Sequence, residues 1–202
     1  MPTKVREMQD TKTAMLEAGI DLMSVKGYSN TGIQDIIQAV SIPKGCFYHY
    51  FPSKESFAIS VIRHFDSNYS AASLDAFNNL QRRPIERLRD YCQTAKGNLL
   101  NQDCRRGCLI SNLCQEMSDQ NENLRLELVK VEDNWRETVS QCIEEGQKLG
   151  EINATRFASD LAELFLSAWS GCYSRAKSVR TPKALDLFID LIFEEILKPR
   201  ST

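Results

Sequence analysis

Apolar residues recur at spacings of three and four along almost the whole chain, and no run alternates with the period of two that marks a strand. The spacing predicts a first helix over residues 8–26, with Met15, Leu16, Ala18, Leu22 and Met23 inward and a stop at Gly27. A short second helix is predicted over 32–40, with Ile33, Ile36 and Ile37 inward. A third is predicted over 43–50, where Pro43 takes an opening position whose N–H has no intrahelical partner to lose. Ser53 reads as the N-cap of a long helix. Its seam runs Phe57, Val61, Phe65, Tyr69, Ala72, Ala76 and Leu80. Pro84 opens the next helix, with Ile85, Leu88, Cys92, Ala95 and Leu99 on one face, and a shorter one follows Gly107. Residues 120–149 carry Leu124, Leu128, Val131, Trp135, Val139, Cys142 and Leu149, with Gly150 as the stop. Asn153 is predicted to cap a helix over 154–177, and Thr181-Pro182 to open a last one through about Leu197. The expectation is an all-α chain of about nine helices. Three short ones would form an N-terminal unit over residues 1–53, and the rest a helical unit over 54–202.

Composition narrows the class. Of 202 residues, 42% are hydrophobic, enough for a packed core. Lys plus Arg is 25 and Asp plus Glu is 27, so neither a polybasic nor an acidic tail is present. No apolar run approaches the ~20 residues needed to span a bilayer. The opening Met1-Pro2-Thr3-Lys4-Val5-Arg6-Glu7 lacks the apolar stretch of a secretory signal. A soluble, cytoplasmic protein with no membrane partner is expected. The seven cysteines are odd in number and lack a secretory context, so they read as free thiols, most of them small core residues. No Cys-x-x-Cys pair occurs, and the only histidines, His49 and His64, lie far in sequence from the Cys104–Cys114 cluster. Neither a metal site nor a cofactor is expected.

Helices two and three are joined by a tight turn at Ser41-Ile42. Short helix, turn, short helix is the geometry that puts a second helix into the DNA major groove, although plain helical hairpins share that spacing. The residues are more specific than the spacing. Gly27-Tyr28-Ser29-Asn30-Thr31-Gly32-Ile33-Gln34-Asp35-Ile36, then Ile42-Pro43-Lys44-Gly45-Cys46-Phe47-Tyr48-His49-Tyr50-Phe51-Pro52-Ser53-Lys54-Glu55-Ser56-Phe57, closely resembles the TetR/AcrR family of bacterial repressors. The resemblance covers residues 10–65, and the run Lys-Gly-x-Phe-Tyr-x-Tyr-Phe-x-Ser-Lys over 44–54 is its signature. The chain departs from the family at Gly32, often a second Thr, and at Ser41, often Gly, which makes the turn less permissive.

Each of these residues also has a physical reading. Gly45 lets the helix backbone come close to DNA. Lys44, in the first turn, can donate to guanine O6 and N7 or to phosphate. Tyr48 and Tyr50 carry hydroxyls for phosphate oxygens, the alternative being partial burial with a wet hydroxyl. His49 can reach backbone or a base edge. Lys54 opens the fourth helix, where its charge and free N–H groups suit a phosphate. Thr31 is expected to do the same from the other side of the groove. Ile33, Ile36, Ile42, Phe47 and Phe51 read as core. Residues 1–65 hold seven basic and six acidic side chains, so attraction to DNA depends on local placement, and Lys4 and Arg6 could form a small minor-groove arm.

The resemblance implies that the remainder binds a small-molecule inducer and forms a homodimer, which two half-sites of a palindromic operator also require. The last two helices carry wide apolar faces. Phe165, Trp169, Phe188, Leu191 and Ile192 are the candidate dimer residues, the alternative being internal core. The stretch Cys104-Arg105-Arg106-Gly107-Cys108-Leu109-Ile110-Ser111-Asn112-Leu113-Cys114 resembles the Gly-Cys-Leu-x-x-Asn-Leu segment of a branch that includes the repressor of N-ethylmaleimide reductase. That branch is associated with electrophiles and oxidants. Independently, a thiol at the predicted helix start beside Arg105 and Arg106 would be stabilised as thiolate, making Cys108 a candidate sensor with Cys104 or Cys114 as resolving partner. The bland alternative is that Cys108 and Cys114 are simply packed. Lys177 is a further candidate for a carbonyl electrophile, against the simpler reading of a cation at a helix C-terminus.

An enzyme is disfavoured. Ser174-x-x-Lys177 and Ser41-x-x-Lys44 match the Ser-x-x-Lys pattern without its partner motifs, and no phosphate loop or His-Glu-x-x-His occurs. A helical interaction module without DNA binding conflicts with the 44–54 motif. Within the regulator reading, covalent sensing at Cys108 and a reversible ligand in an apolar pocket both remain open.

Overall fold

The structure is a computed structural model describing residues 4–70 and 74–199, with side chains described from residue 8 onward except those of residues 69 and 70. Lys4 and Arg6, the candidate arm, and Tyr69 and Ala72 of the predicted seam therefore lie outside the described side chains. Among the described residues there are nine α-helices and no strand.

The helices are α1 (Lys4–Lys26), α2 (Ile33–Ala39), α3 (Lys44–Tyr50), α4 (Lys54–Phe65), α5 (Pro84–Leu100), α6 (Leu109–Met117), α7 (Glu122–Lys148), α8 (Ala158–Val179) and α9 (Lys183–Leu191). Their ends follow local chemistry. Gly27 ends α1 at φ +79°, in the left-handed region that glycine enters without steric cost. Ser53 caps α4: its hydroxyl accepts the Ser56 N–H at 3.0 Å, and its own N–H is returned to the Ser56 hydroxyl at 3.1 Å. Pro43 precedes α3 as its cap, and Pro84 is the first residue of α5.

Several boundaries differ from expectation: the first helix starts at Lys4, and the last is α only to Leu191, with Ile192–Ile196 a π turn. The helix predicted over 54–80 is α-helical only to Phe65; Asp66–Ser70 is a π turn, Asp75–Asn78 is a 3-10 turn, and Leu80 is exposed. Asn153 caps no helix. Its side-chain oxygen accepts the Thr155 N–H at 2.9 Å, while its own N–H bonds the Leu197 carbonyl at 2.8 Å, and α8 starts only after Phe157.

The chain divides into two compact units. The first comprises Met1–Tyr69 with Leu109–Val129, so α1–α4 are joined by α6 and the start of α7. Its core holds Met15, Ile20, Met23, Ile36, Phe47, Phe57 and Ile62, all fully buried. Phe51 and Phe57 meet edge to face at 4.9 Å, and Phe47 tilts against Phe57 at 5.3 Å. Three interlocked rings pin the short α3 to α4, as a seven-residue helix cannot hold itself in water.

The second unit comprises Ser70–Cys108 with Lys130–Thr202. Leu88, Phe165, Trp169, Leu185, Phe188, Ile189 and Ile192 belong to its hydrophobic core. Inside it Arg87 is almost fully buried, bonded to the Phe77 carbonyl at 3.0 Å and paired with Glu145 at 2.6 Å. No described helix is long and apolar enough to cross a membrane.

Candidate nucleic-acid interface

Two short helices, α2 and α3, and the turn between them form the candidate helix-turn-helix. The turn is closed by Ser41 N–H to the Gln38 carbonyl and Ile42 N–H to the Ile37 carbonyl, both at 3.2 Å. Ser41 sits at φ +54°, so this non-glycine residue is held in the left-handed region. Phe47 is buried, which fixes the rotation of α3 about its axis. Lys44, Gly45, Tyr48 and His49 are thereby left exposed, and Tyr50 half-buried. A methyl group added at Gly45 would meet nothing within 4 Å, so the backbone there is open to an approaching surface. Tyr48 stands edge-on to Phe47 at 5.5 Å, and His49 edge-on to Tyr50 at 5.3 Å. The exposed face of α3 thus carries a cation, a bare backbone segment, a phenol and an imidazole. That combination can bond phosphate oxygens and base edges.

Two predicted contact residues are occupied elsewhere. Thr31 is fully buried, and its hydroxyl donates to the Gly27 carbonyl at 2.7 Å. It closes the α1–α2 turn and has no face toward a phosphate. Lys54 folds back on that turn. Its ammonium lies 4.3 Å from the centre of the Tyr28 ring and donates to the Ser29 carbonyl at 3.4 Å. Partial burial lowers its pKa against the raising effect of Glu116 and Asp35. Lys54 therefore joins α4 to the turn ahead of α2.

The sequence reading missed the polar residues that join α6 and α7 to the same unit. The Glu116 carboxylate accepts the N–H groups of Tyr28 and Ser29, each at 2.7 Å. Asn112 donates to the Ser24 carbonyl at 3.1 Å. Asn121 and Asn123 both donate to Glu55, at 2.8 and 2.9 Å, and these bonds hold its carboxyl below the ordinary range. Arg63 forms a two-pronged pair with Glu127 at 2.6 and 2.9 Å. These partners are more than 60 residues apart, and no local pattern in the sequence connects them.

The candidate sensor residues are spread over different settings, Cys114 in the first unit and the others in the second. Cys108 is half-buried immediately before α6, with Arg105 exposed and Arg106 half-buried beside it in sequence. Cys104 is buried at φ +53°, after Asp103 at φ +51°, and its carbonyl receives Arg180 at 2.7 Å. The Tyr173 phenol is shifted up, first by burial and then by the nearby Cys108 and Cys104 thiols, and it donates to the Ala95 carbonyl at 3.3 Å. Burial also raises Tyr91, with Cys92, Cys108 and Tyr173 adding to the shift. Cys104 belongs to the same buried cluster as Tyr91 and Trp169, with Tyr173 packed against it; the Trp169 ring centre sits 6.2 Å from that of Tyr91 and 6.1 Å from that of Tyr173. Cys114 is half-buried within α6, and Lys177 half-buried in the last turn of α8. Among the described residues no cluster of His, Cys, Asp or Glu could hold a metal ion.

The predicted dimer residues need correction. Phe165, Trp169, Phe188 and Ile192 are buried within their own subunit's core. Of the five only Leu191 is exposed, at 50%, alongside Leu187 at 57% on α9 and Leu164 at 48% on α8. The apolar stripe on these helices is wide, and its centre is already covered from within.

Comparison with known proteins agrees with this layout. Residues 15–61 match the model of bacterial regulatory proteins of the tetR family, and residues 84–192 match that of the tetracyclin repressor-like C-terminal domain. The chain is 34% identical over 175 residues to the transcriptional regulator AcuR of Cereibacter sphaeroides, covering 87% of this chain and 80% of that one. It is 32% identical over 183 residues to the HTH-type transcriptional repressor DhaR of a Mycobacterium species, covering 91% and 90%. The crystal structure of Escherichia coli NemR in its reduced form superposes with a TM-score of 0.84 at 26% identity, covering 95% of this chain and all of that one. NemR thus supports the branch suggested by the Cys104–Cys114 segment. The chain belongs to the TetR family of bacterial transcriptional regulators, with an N-terminal helix-turn-helix DNA-binding domain.

Proposed function

We propose that the protein is a cytoplasmic, homodimeric repressor that binds a palindromic operator through α3 and is released by a small-molecule inducer. The exposed Lys44, Gly45, Tyr48 and His49 face, with open space over Gly45, carries the reading. The DhaR and NemR relatives are repressors, which favours repression over activation. One seven-residue reader contacts few bases, so two copies are needed for a specific site. Leu164, Leu187 and Leu191 are large apolar side chains that α8 and α9 leave outward for a second copy.

The inducer acts in the second unit, and Cys108 is the group proposed to receive it. Its thiolate adds to the β-carbon of an α,β-unsaturated carbonyl, forming a C–S bond while the α-carbon takes a proton from water. With hypochlorous acid, the thiolate sulfur is oxidised to sulfenic acid and chloride leaves. The Cys104 thiol then condenses with the sulfenic acid to a disulfide, releasing water. Cys104, four residues before Cys108, packs in the cluster that Tyr173 lies against, which supports a shared reactive region. The reduced form in which NemR was solved is compatible with redox sensing in that relative. A reversible ligand against the Tyr91, Trp169 and Tyr173 aromatics is the second reading, favoured by their clustering. Either inducer must prefer the released state by its differential binding free energy.

A mobility-shift titration on the DNA upstream of the protein's own gene tests both parts. Wild type should bind, and Lys44→Ala and Tyr48→Ala should weaken binding while remaining dimeric by light scattering. N-ethylmaleimide or hypochlorite should release wild type, and Cys108→Ser should resist both. Release of the Cys108→Ser variant at the wild-type dose would refute the covalent mechanism and leave the reversible ligand. Dimer loss in Lys44→Ala or Tyr48→Ala would refute the assignment of those residues to the DNA face.

A further inference from the structure

The α1–α2 turn is closed from within and clamped from outside. From within, the Thr31 hydroxyl and N–H bond the Gly27 and Tyr28 carbonyls at 2.7 and 3.2 Å, and the Gly32 N–H bonds Asp35 at 2.9 Å. From outside, Glu116 on α6 takes the next two N–H groups, those of Tyr28 and Ser29. A β-carbon at Gly27 would collide with the Glu116 carboxylate, so the turn passes directly against it. Lys54 completes the cluster, stacked on the Tyr28 ring and bonded to the Ser29 carbonyl. Two elements of the first unit therefore hold the turn together, α6 through the Glu116 carboxylate and the start of α4 through Lys54.

This clamp exceeds what the fold requires. The Ser29 N–H is exposed, so water could satisfy it. A carboxylate receiving two parallel N–H groups adds strength and a fixed angle instead. Burial acts to raise the Glu116 carboxyl, but the Ser29 and Tyr28 hydrogen bonds and the Lys54 charge outweigh it and keep it ionised to lower pH than usual. The turn leads within four residues to Ile33, the first residue of α2, and α2 leads through the strained Ser41 turn to α3.

We propose that Glu116, although outside the helix-turn-helix and free of DNA contact, is a positioning residue for DNA reading, setting the pose of α2 and α3 through Tyr28 and Ser29. This rests on the DNA-reading role of α3. A structural residue would change how much protein is folded. A positioning residue changes how well folded protein tells its operator from other DNA.

Fluorescence anisotropy with the operator and with an unrelated duplex reads that difference, using protein whose active fraction is set by stoichiometric titration. Glu116→Ala should weaken operator binding about tenfold or more, the scale of one lost charged hydrogen bond. Binding to the unrelated duplex, which depends on phosphate neutralisation, should change by no more than about twofold. Glu116→Gln, with one carbonyl oxygen left to accept an N–H, should fall between wild type and Ala. Amide exchange at Tyr28 and Ser29 should accelerate in both variants, and Glu116→Gln carries the test if the alanine variant is unstable. An unchanged ratio of operator to unrelated affinity would overturn the assignment, as would a parallel loss of both. If wild type itself does not discriminate the operator, the DNA-reading proposal fails before Glu116 is at issue.

Discussion

Gly45→Ala separates stability from DNA reading at a single atom. Gly45 is the second residue of α3, and an added β-carbon would have no heavy atom within 4 Å. The substitution therefore introduces no clash in the free protein. It removes backbone freedom from the unfolded chain and raises helix propensity, worth up to ~1 kcal/mol in a helix interior and about half that so near the end. For a chain of this size, about 0.5 kcal/mol raises the melting temperature by roughly 1–2 °C. The same methyl group stands on the exposed face between Lys44 and Tyr48, the face proposed to meet the operator. Pushing α3 outward enough to break one bidentate base contact costs about 1–3 kcal/mol, or roughly 5- to 150-fold in affinity. Calorimetry of the free protein and operator titration by anisotropy read the two effects separately. The account requires a variant at least as stable as wild type that binds DNA worse. Undiminished operator affinity would refute the claim that Gly45 keeps the face clear, and a lower melting temperature would refute the open geometry around it.

Three other outcomes follow from particular residues. Ser41 occupies the left-handed region, so Ser41→Gly should stabilise the protein by about 0.5–1 kcal/mol by thermal melting, and Ser41→Val should destabilise it. Among the seven thiols, Cys92 and Cys142 should react slowest with a maleimide in the native protein, read by mass spectrometry of timed samples. Burial pushes both up, Cys142 to about 12, so little thiolate exists at neutral pH. The Glu116 carboxyl is held below its ordinary value in the folded state, so its stabilising contribution is full above the unfolded-state pKa and disappears as pH falls through the folded value. Wild type should lose its stability advantage over Glu116→Gln across that acid window in denaturant titrations, and a constant difference at every pH would contradict the assignment.

The features legible in the sequence were those with a local cause. Gly27 ends α1 by taking the left-handed conformation, Ser53 caps α4 through a bond to a residue three positions on, and Pro84 begins a helix because it has no N–H to satisfy. The exposed face of α3 follows from Phe47, since burying one ring of a seven-residue helix decides which side chains remain outside. What the sequence did not reveal depends on distant partners. The apolar seam continues past Phe65 without a change of period, so the π turn after it leaves no trace in the pattern. Thr31 looks like an exposed polar residue at a helix start, and only the path of the turn buries it. The stripe on α8 and α9 reads as one apolar face. Periodicity cannot divide it between Phe165, covered by its own subunit, and Leu164, left exposed one position earlier. Glu116 was missed for the same reason, its partners being 87 and 88 residues away.

The most direct test of the central claim is photocross-linking of operator DNA carrying 5-bromouracil, followed by mass spectrometry of the attached peptide. The account predicts cross-links on the Lys44–Tyr50 segment, with Tyr48 and His49 as the modified residues, and none on Thr31. Specific, competable cross-links that map only outside α3 would contradict it.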